Sequence, residues 1–233
     1  MPDVPSREEF DALVEKVDGL TAILSNMPPI PEIPPMPDHP GLIKVFDSAT
    51  GSMSEHTNGG GTITKSGENS WIFRSHFGRA EFQDIHTAKI GDGKRWLYRW
   101  KMYSPPKIFS VPDWMIHGQF HRGYKHPPFS IQGETDSYTP TILKPIRNDG
   151  RDRIMEKVPY QAIQFPAEFA VEAVWDKKNG EYTLWINDEL ITSYSGDTVI
   201  EGDKIYPKFG IYDGGPGDVE VEIGNIEVYE VLQ

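Results

Sequence analysis

From residue 41 onward the chain repeats short runs of alternating apolar and polar residues, separated by glycine, proline, asparagine or aspartate. Alternation with a period of two is typical of β-strands that bury one face, and the intervening residues favour turns. About twelve such runs are present, and the clearest one predicts a hairpin that turns at Asn187 and Asp188. Many short antiparallel strands predict an all-β domain of two sheets packed face to face. The strand-poor stretch from Thr135 to Ala167 is expected to be a functional loop or lid.

The first 40 residues have a different pattern. Ser6 and Glu9 form a capping box, after which apolar residues follow the 3,4 spacing of a coiled-coil seam. These seam residues are Phe10, Leu13, Val17, Leu20 and Leu24. We expect residues 1–26 to form a helix that self-associates, with a trimer favoured; the alternative is packing of its apolar stripe on the chain's own β domain.

Residues 27–40 contain seven prolines between Pro28 and Pro40, which predicts a stiff polyproline II spacer. The alternative is a proline-rich ligand for a partner domain. The predicted organisation is therefore a helix over 1–26, a spacer over 27–40 and a β domain over 41–233.

Composition excludes several classes of function. The net charge is −12, and residues 1–40 hold eight acidic and two basic residues, so half of the excess lies there. This charge argues against general nucleic-acid binding. The absence of cysteine excludes disulfides and thiolate chemistry. The first residues lack a basic region followed by an apolar run, so we expect no signal peptide, and no run is long enough to predict membrane insertion.

Two separated motifs carry the candidate chemistry: Ile-His-Gly-Gln-Phe-His at 116–121 and Tyr-Pro-Lys-Phe-Gly-Ile-Tyr at 206–212. Alternation would place His117, Gln119 and His121 on one face of a strand, and Lys208 and Tyr212 on one face of another. A uronic-acid polysaccharide is cleaved by β-elimination when a base removes the proton beside the carboxylate, a donor neutralises that carboxylate and an acid protonates the leaving oxygen. The two motifs supply these groups without a metal or other cofactor.

Two further segments offer cations. Arg79 is expected to bind a sugar carboxylate with Glu81 orienting it, and the alternative is a surface ion pair. Arg99 and Lys101 share a strand face, either as a glycan-facing basic stripe or as an ordinary solvated face.

Other readings of these residues are weaker. Alternate histidines such as His117 and His121 can bind a metal, but no acidic residue lies in their run. The loop from Asp213 to Asp218 reads as a turn more readily than as a calcium site. Phosphate-loop, serine-hydrolase and zinc-protease motifs are absent from the sequence, and so is the closely spaced acidic strand motif of jelly-roll β-glucanases. Hydrolysis by two carboxylates from distant strands remains an alternative.

From about Gly41 to Gln233 the chain resembles the jelly-roll (concanavalin-like) polysaccharide lyases, the group of glucuronan, alginate and heparin lyases. Arg-Ala-Glu at 79–81, Gln-Phe-His at 119–121, the Trp-Ile-Asn-Asp-Glu-Leu hairpin and Lys-Phe-Gly-Ile-Tyr at 208–212 carry this resemblance. It implies that Gln119 and Arg79 bind the uronate carboxylate of an anionic polysaccharide. His121, with His126 as a competitor, would be the base. Tyr212 would then be the acid, with Lys208 supporting the developing charge.

A short oligomerising helix before a glycan-active β domain resembles phage virion proteins such as tail spikes and head fibres. This resemblance implies a homo-oligomer that is extracellular or virion-associated, with other virion proteins as possible partners. It carries no catalytic information. The rival hypothesis is a non-catalytic glycan-binding or structural virion module with the same fold.

Overall fold

The structure is a computed structural model that describes Lys16 and residues 41–122, 127–143, 151–153, 158–199, 202–214 and 217–232, without the side chains of 139–143 and 151–153. The chain divides into two units, Met1–Ile33 and Pro34–Gln233. Apart from Lys16, the predicted helix over 1–26 and the spacer over 27–40 lie outside the described residues. None of the described segments forms a helix long and apolar enough to cross a membrane.

The described part of the second unit consists of strands and one short 3₁₀ turn, Tyr160–Ala162. In chain order the strands are β1 (Leu42–Asp47), β2 (Ser54–Asn58), β3 (Thr62–Gly67), β4 (Ser70–His76), β5 (Arg79–Gln83), β6 (Ala88–Lys89), β7 (Arg95–Met102), β8 (Lys107–Ser110), β9 (Trp114–His121), β10 (Phe129–Gly133), β11 (Ser137–Leu143), β12 (Arg151–Arg153), β13 (Val158–Pro159), β14 (Ala167–Val174), β15 (Gly180–Ile186), β16 (Glu189–Gly196), β17 (Lys204–Gly214) and β18 (Asp218–Val231).

The strands form two antiparallel sheets. The first sheet has the order β16-β15-β14-β7-β18-β4-β3, with β1 and β8 also paired to β18. The second has the order β12-β11-β10-β9-β17-β5-β2, with β13 paired to β11 and β6 to β17. The predicted all-β, two-sheet antiparallel sandwich is therefore confirmed.

The structure confirms one prediction about an individual segment and contradicts another. The predicted hairpin is confirmed: β15 pairs with β16, and Asn187 and Asp188 both have positive φ, as a tight hairpin turn requires. The prediction of a lid between Thr135 and Ala167 is wrong in its described part, because β11, β12 and β13 extend the second sheet there. These three strands lack a clear alternating pattern, and they form because they pair with neighbouring strands, which the local sequence does not reveal.

Aromatic side chains fill the space between the sheets. Trp100 on β7 contacts Phe209 on β17 at a ring-centre distance of 4.9 Å, and Tyr98 on β7 contacts Phe120 on β9 at 4.7 Å. All four are almost completely buried. Burial of such large apolar surfaces is the main stabilising term of the sandwich, and it forces the alternate residues of β9 and β17 toward the outer face.

Candidate active site

Strand pairing brings the two distant motifs and the Arg-Ala-Glu segment together. In the second sheet β17 lies between β9 and β5, so that Lys208 is opposite Gln119 and Gly210 is opposite Glu81. Ala80 and Phe82 on β5 belong to the core, as does Phe209 on β17. Because side chains alternate, the polar residues between them project from the outer face of the second sheet.

The centre of the site is the carboxylate of Glu81, which is only 1% exposed. Gln119 donates a hydrogen bond from Nε2 to Oε1 of Glu81. Two cations approach the other oxygen: Nε of Arg79 lies 3.1 Å and Nζ of Lys208 3.8 Å from Oε2. Arg79 and Glu81 therefore form an ion pair, but it is recessed and shared with Lys208, unlike the surface ion pair of the alternative.

His56 on the edge strand β2 completes this cluster and was not predicted from the sequence. It pairs with Glu81 in the β2–β5 ladder, and its Nδ1 lies 3.2 Å from both Nη1 of Arg79 and Nζ of Lys208. Because both neighbours can only donate, Nδ1 is the acceptor and the imidazole is neutral. Burial and the charges of Lys208 and Arg79 lower the pKa of His56, in agreement with that state.

The contacting side chains carry a surplus of positive charge. Burial raises the pKa of Glu81, while Lys208 and Arg79 oppose this shift by favouring the carboxylate. Burial likewise lowers the pKa of Lys208, and Glu81 opposes it. With both groups ionised, two cations face one carboxylate and a neutral histidine. In a chain of net charge −12, this is a local site for an anion.

The predicted base, His121, lies on the same face as Gln119, two residues further along β9. The structure pairs it with Tyr206, whose hydroxyl is 3.5 Å from its Nδ1. Burial, followed by the charges of Lys208, Arg79 and Arg122, lowers the pKa of His121 to about 4. The ring is therefore neutral near pH 7 and able to accept a proton.

The predicted acid, Tyr212, lies on the other side of the Gln119–Lys208 pair, opposite Ile116. The guanidinium carbon of Arg79 is 3.9 Å from the centre of the Tyr212 ring. The edge of Trp114 contacts the same ring at a centre distance of 4.7 Å. Tyr212 is thus held between a cation and an aromatic ring, while the hydroxyl that contacts His121 belongs to Tyr206.

His117, which alternation predicted on the same strand face as Gln119 and His121 and hence as a candidate to bind substrate, does not share the site with them. The β9–β10 ladder pairs Ile131 with Gly118 and Gln132 with Ile116, so His117 is the extra residue of a bulge on β9. It is 1% exposed, and its ring packs edge-on against Tyr138 of the core. The two histidines therefore do not converge on a metal. The described residues contain no cluster of three or more metal-ligating side chains.

Arg99 and Lys101 also lie elsewhere. They are on β7 in the first sheet, whose alternate residues Trp100 and Met102 fill the core. Their side chains therefore face away from the second sheet, and Nε of Arg99 is 3.8 Å from a carboxylate oxygen of Glu168. They therefore do not join the cluster around Glu81, because alternation specifies a strand face but not which sheet contains it.

This architecture has solved relatives. The fold is that of alginate lyases of polysaccharide lyase family 7. Alginate lyase AlgAT5 of that family superimposes with a TM-score of 0.50 and 17% identity, over 77% of this chain and 85% of that one. Alginate lyase A1-II', another member, superimposes with a TM-score of 0.52 and 15% identity, over 73% of this chain and 84% of that one. Alginate lyase AlyC3 superimposes with a TM-score of 0.51 and 11% identity, over 70% of this chain and 75% of that one.

Other structures of these relatives contain sugar: A1-II' variants are in complex with a substrate or a product, and AlyC3 is in complex with dimannuronate. Neither a family model nor a curated protein matches the sequence. At these identities the likeness establishes the fold, and the chemistry has to be argued from the side chains of this chain.

Proposed function

We propose that this chain is a polysaccharide lyase that cleaves an anionic, uronate-containing polysaccharide by β-elimination. Gln119 and Arg79 bind and neutralise the uronate carboxylate, which makes the adjacent C5 proton more acidic. His121 removes that proton, and the C5–H electron pair forms the C4=C5 double bond as the C4–O bond breaks. Tyr212 donates its proton to the leaving oxygen, and Lys208 stabilises the negative charge that develops there. The step consumes no water and needs no redox partner.

The observation that supports this proposal is the surplus of positive charge beside a neutral histidine. Among the described residues, Glu81 supplies the carboxylate that both Arg79 and Lys208 contact, and His121 lies two residues from Gln119 on β9. A substrate carboxylate would supply the second negative charge. A carboxylate bound there would hold its own C5–H within reach of the β9 face that carries His121.

A second candidate function is a non-catalytic glycan-binding or structural module. One observation favours it: the donors assigned to the substrate already converge on Glu81, and Gln119 and Lys208 are each only 2% exposed. In this case the cluster would hold the three strands together, and sugars would bind without being cleaved.

A product assay separates the two candidates. We expect the purified protein to release fragments with ultraviolet-absorbing, unsaturated uronate ends from at least one of alginate, glucuronan and the glycosaminoglycans, with a chelator present. Binding of one of these polymers without such fragments would favour the glycan-binding module. Neither binding nor cleavage of any polymer would reject both candidates.

We also propose that residues 1–26 assemble the chain into an oligomer, a trimer in preference, on a particle such as a phage virion. The heptad-like seam of the sequence supports this proposal. Light scattering should give a multiple of 26.4 kDa for the full chain. The corresponding chain without residues 1–40 should be a monomer. A full-length monomer would overturn the proposal.

A further inference from the structure

An exposed indole borders the site on the Tyr212 side. Trp114, the first residue of β9, is 40% exposed although its edge packs on Tyr212. It is opposite Gly214 on β17, and a Cβ atom on that glycine would lie 2.2 Å from the indole. Glycine thus allows the indole to lie directly over the strand. The contacts with Tyr212 and Gly214 fix the ring, while part of its surface faces solvent as a platform for an apolar sugar face.

A groove of about 410 Å³ lies beside this platform, within the range of ligand pockets. Its polar lining comes from Asp113, Gln132, Glu134 and Thr135. None of the described residues that line it is a lysine, arginine or histidine. The cations Arg79 and Lys208 belong instead to the cluster around Glu81.

The charge of this groove selects against a second uronate. A sugar carboxylate placed here would meet the carboxylate of Asp113, and such a like-charge contact disfavours one ligand relative to another. A neutral sugar has no such penalty. Its C–H face can stack on Trp114, and its hydroxyl groups can donate to Asp113.

We propose that the groove binds a neutral sugar next to the uronate, so that the substrate is a heteropolysaccharide rather than a homopolymer of uronates. This inference rests on the proposed lyase function. Tyr212, the proposed acid, contacts Trp114, which lines the groove, so the sugar bound there is the leaving group. Each cleavage therefore gives one fragment with a neutral sugar at its new reducing end and one with an unsaturated uronate at the other end.

The test compares two kinds of polymer. Unsulfated chondroitin and hyaluronan alternate glucuronate with a neutral N-acetylhexosamine, whereas alginate and glucuronan contain uronates alone. We expect a higher kcat/KM on an alternating polymer, and Trp114→Ala should lower it about fivefold to tenfold. Asp113→Lys should raise kcat/KM on the polyuronates relative to kcat/KM on the alternating polymers, because it replaces a negative charge of the groove with a positive one. Preference for a polyuronate, with no effect of Asp113→Lys on it, would overturn the inference and leave the lyase function intact.

If no polymer gives unsaturated ends, the lyase function fails and calorimetry decides the inference separately. Oligosaccharides of chondroitin should then bind the wild-type protein more tightly than alginate oligosaccharides of equal length, and Trp114→Ala should remove the difference. Equal or reversed affinities, or no binding, would overturn the inference.

Discussion

Gln119 and Lys208 face each other across the β9–β17 ladder and contact the same carboxylate, that of Glu81. Two motifs that lie far apart in the sequence are therefore held together by a third. Glu81 acts as an internal anion that positions Arg79, Gln119 and Lys208 in the absence of substrate. The cluster therefore links the three strands, and in the proposed mechanism it is also the site for the substrate carboxylate.

Glu81→Gln should destabilise the fold, because Arg79 and Lys208 would lose their shared counter-charge in a buried setting. Loss of one partner of a buried ionic network costs about 3 kcal/mol, which chemical denaturation would measure. Lys107→Met is the matched control, since it breaks a surface ion pair with Glu220 that involves an exposed lysine. Equal stability of the two variants would show that the Glu81 cluster does not support the fold.

The pH dependence of activity should reflect His121. Its folded-state pKa is lowered to about 4, and only the neutral form is a base, so kcat/KM should be retained as pH falls toward 5 and be lost as pH passes below about 4. Because kcat/KM reports the free enzyme, it is the quantity to measure, with circular dichroism at each pH as the control for folding. An acidic limb near pH 6.5, the ordinary value for histidine, would contradict this prediction.

His117 should make the fold acid-sensitive. Burial lowers its pKa to about 3, and neither ring nitrogen has a hydrogen-bond partner among the described residues. Below about pH 6.5 this histidine is protonated in the unfolded chain but stays neutral in the folded chain. The free energy of unfolding therefore decreases by up to about 1.4 kcal/mol per pH unit until the pH reaches the folded-state pKa. His117→Leu should reduce the slope of unfolding free energy against pH by that amount. An unchanged slope would contradict the buried, neutral assignment.

Two tyrosines near the site should have separable roles. Tyr212→Phe removes the proposed acid and should lower kcat by at least about 100-fold. Tyr206→Phe removes only the hydroxyl that is 3.5 Å from His121 Nδ1, so it should shift the pH profile and leave most of kcat. The opposite pattern would assign the acid to Tyr206.

The sequence predicts which face of a sheet a side chain occupies where the apolar residues on either side of it must enter the core. On β5, Ala80 and Phe82 must enter the core, so Arg79 and Glu81 face outward together. The same argument on β17 puts Lys208 on the outer face, because Phe209 beside it is buried.

Three features of the site were not predictable from local patterns. The bulge at His117 turns its side chain to the other face of the sheet. The sequence does not reveal this bulge, because histidine and glycine at 117 and 118 are tolerated on either face. His56 lies on Ser54–Asn58, a polar edge strand without apolar alternation. Arg99 and Lys101 belong to the other sheet, and only long-range pairing decides that.

The most direct test of the lyase account is the mass of the fragments from a uronate-containing polymer that the protein cleaves. β-Elimination predicts that the fragment on the reducing side of each break carries an unsaturated uronate at its new non-reducing end and weighs one water less than the corresponding hydrolysis product. These fragments should disappear with Tyr212→Phe while the variant remains folded. Fragments of the full hydrolytic mass would contradict the account and favour a carboxylate-based hydrolase on the same sandwich.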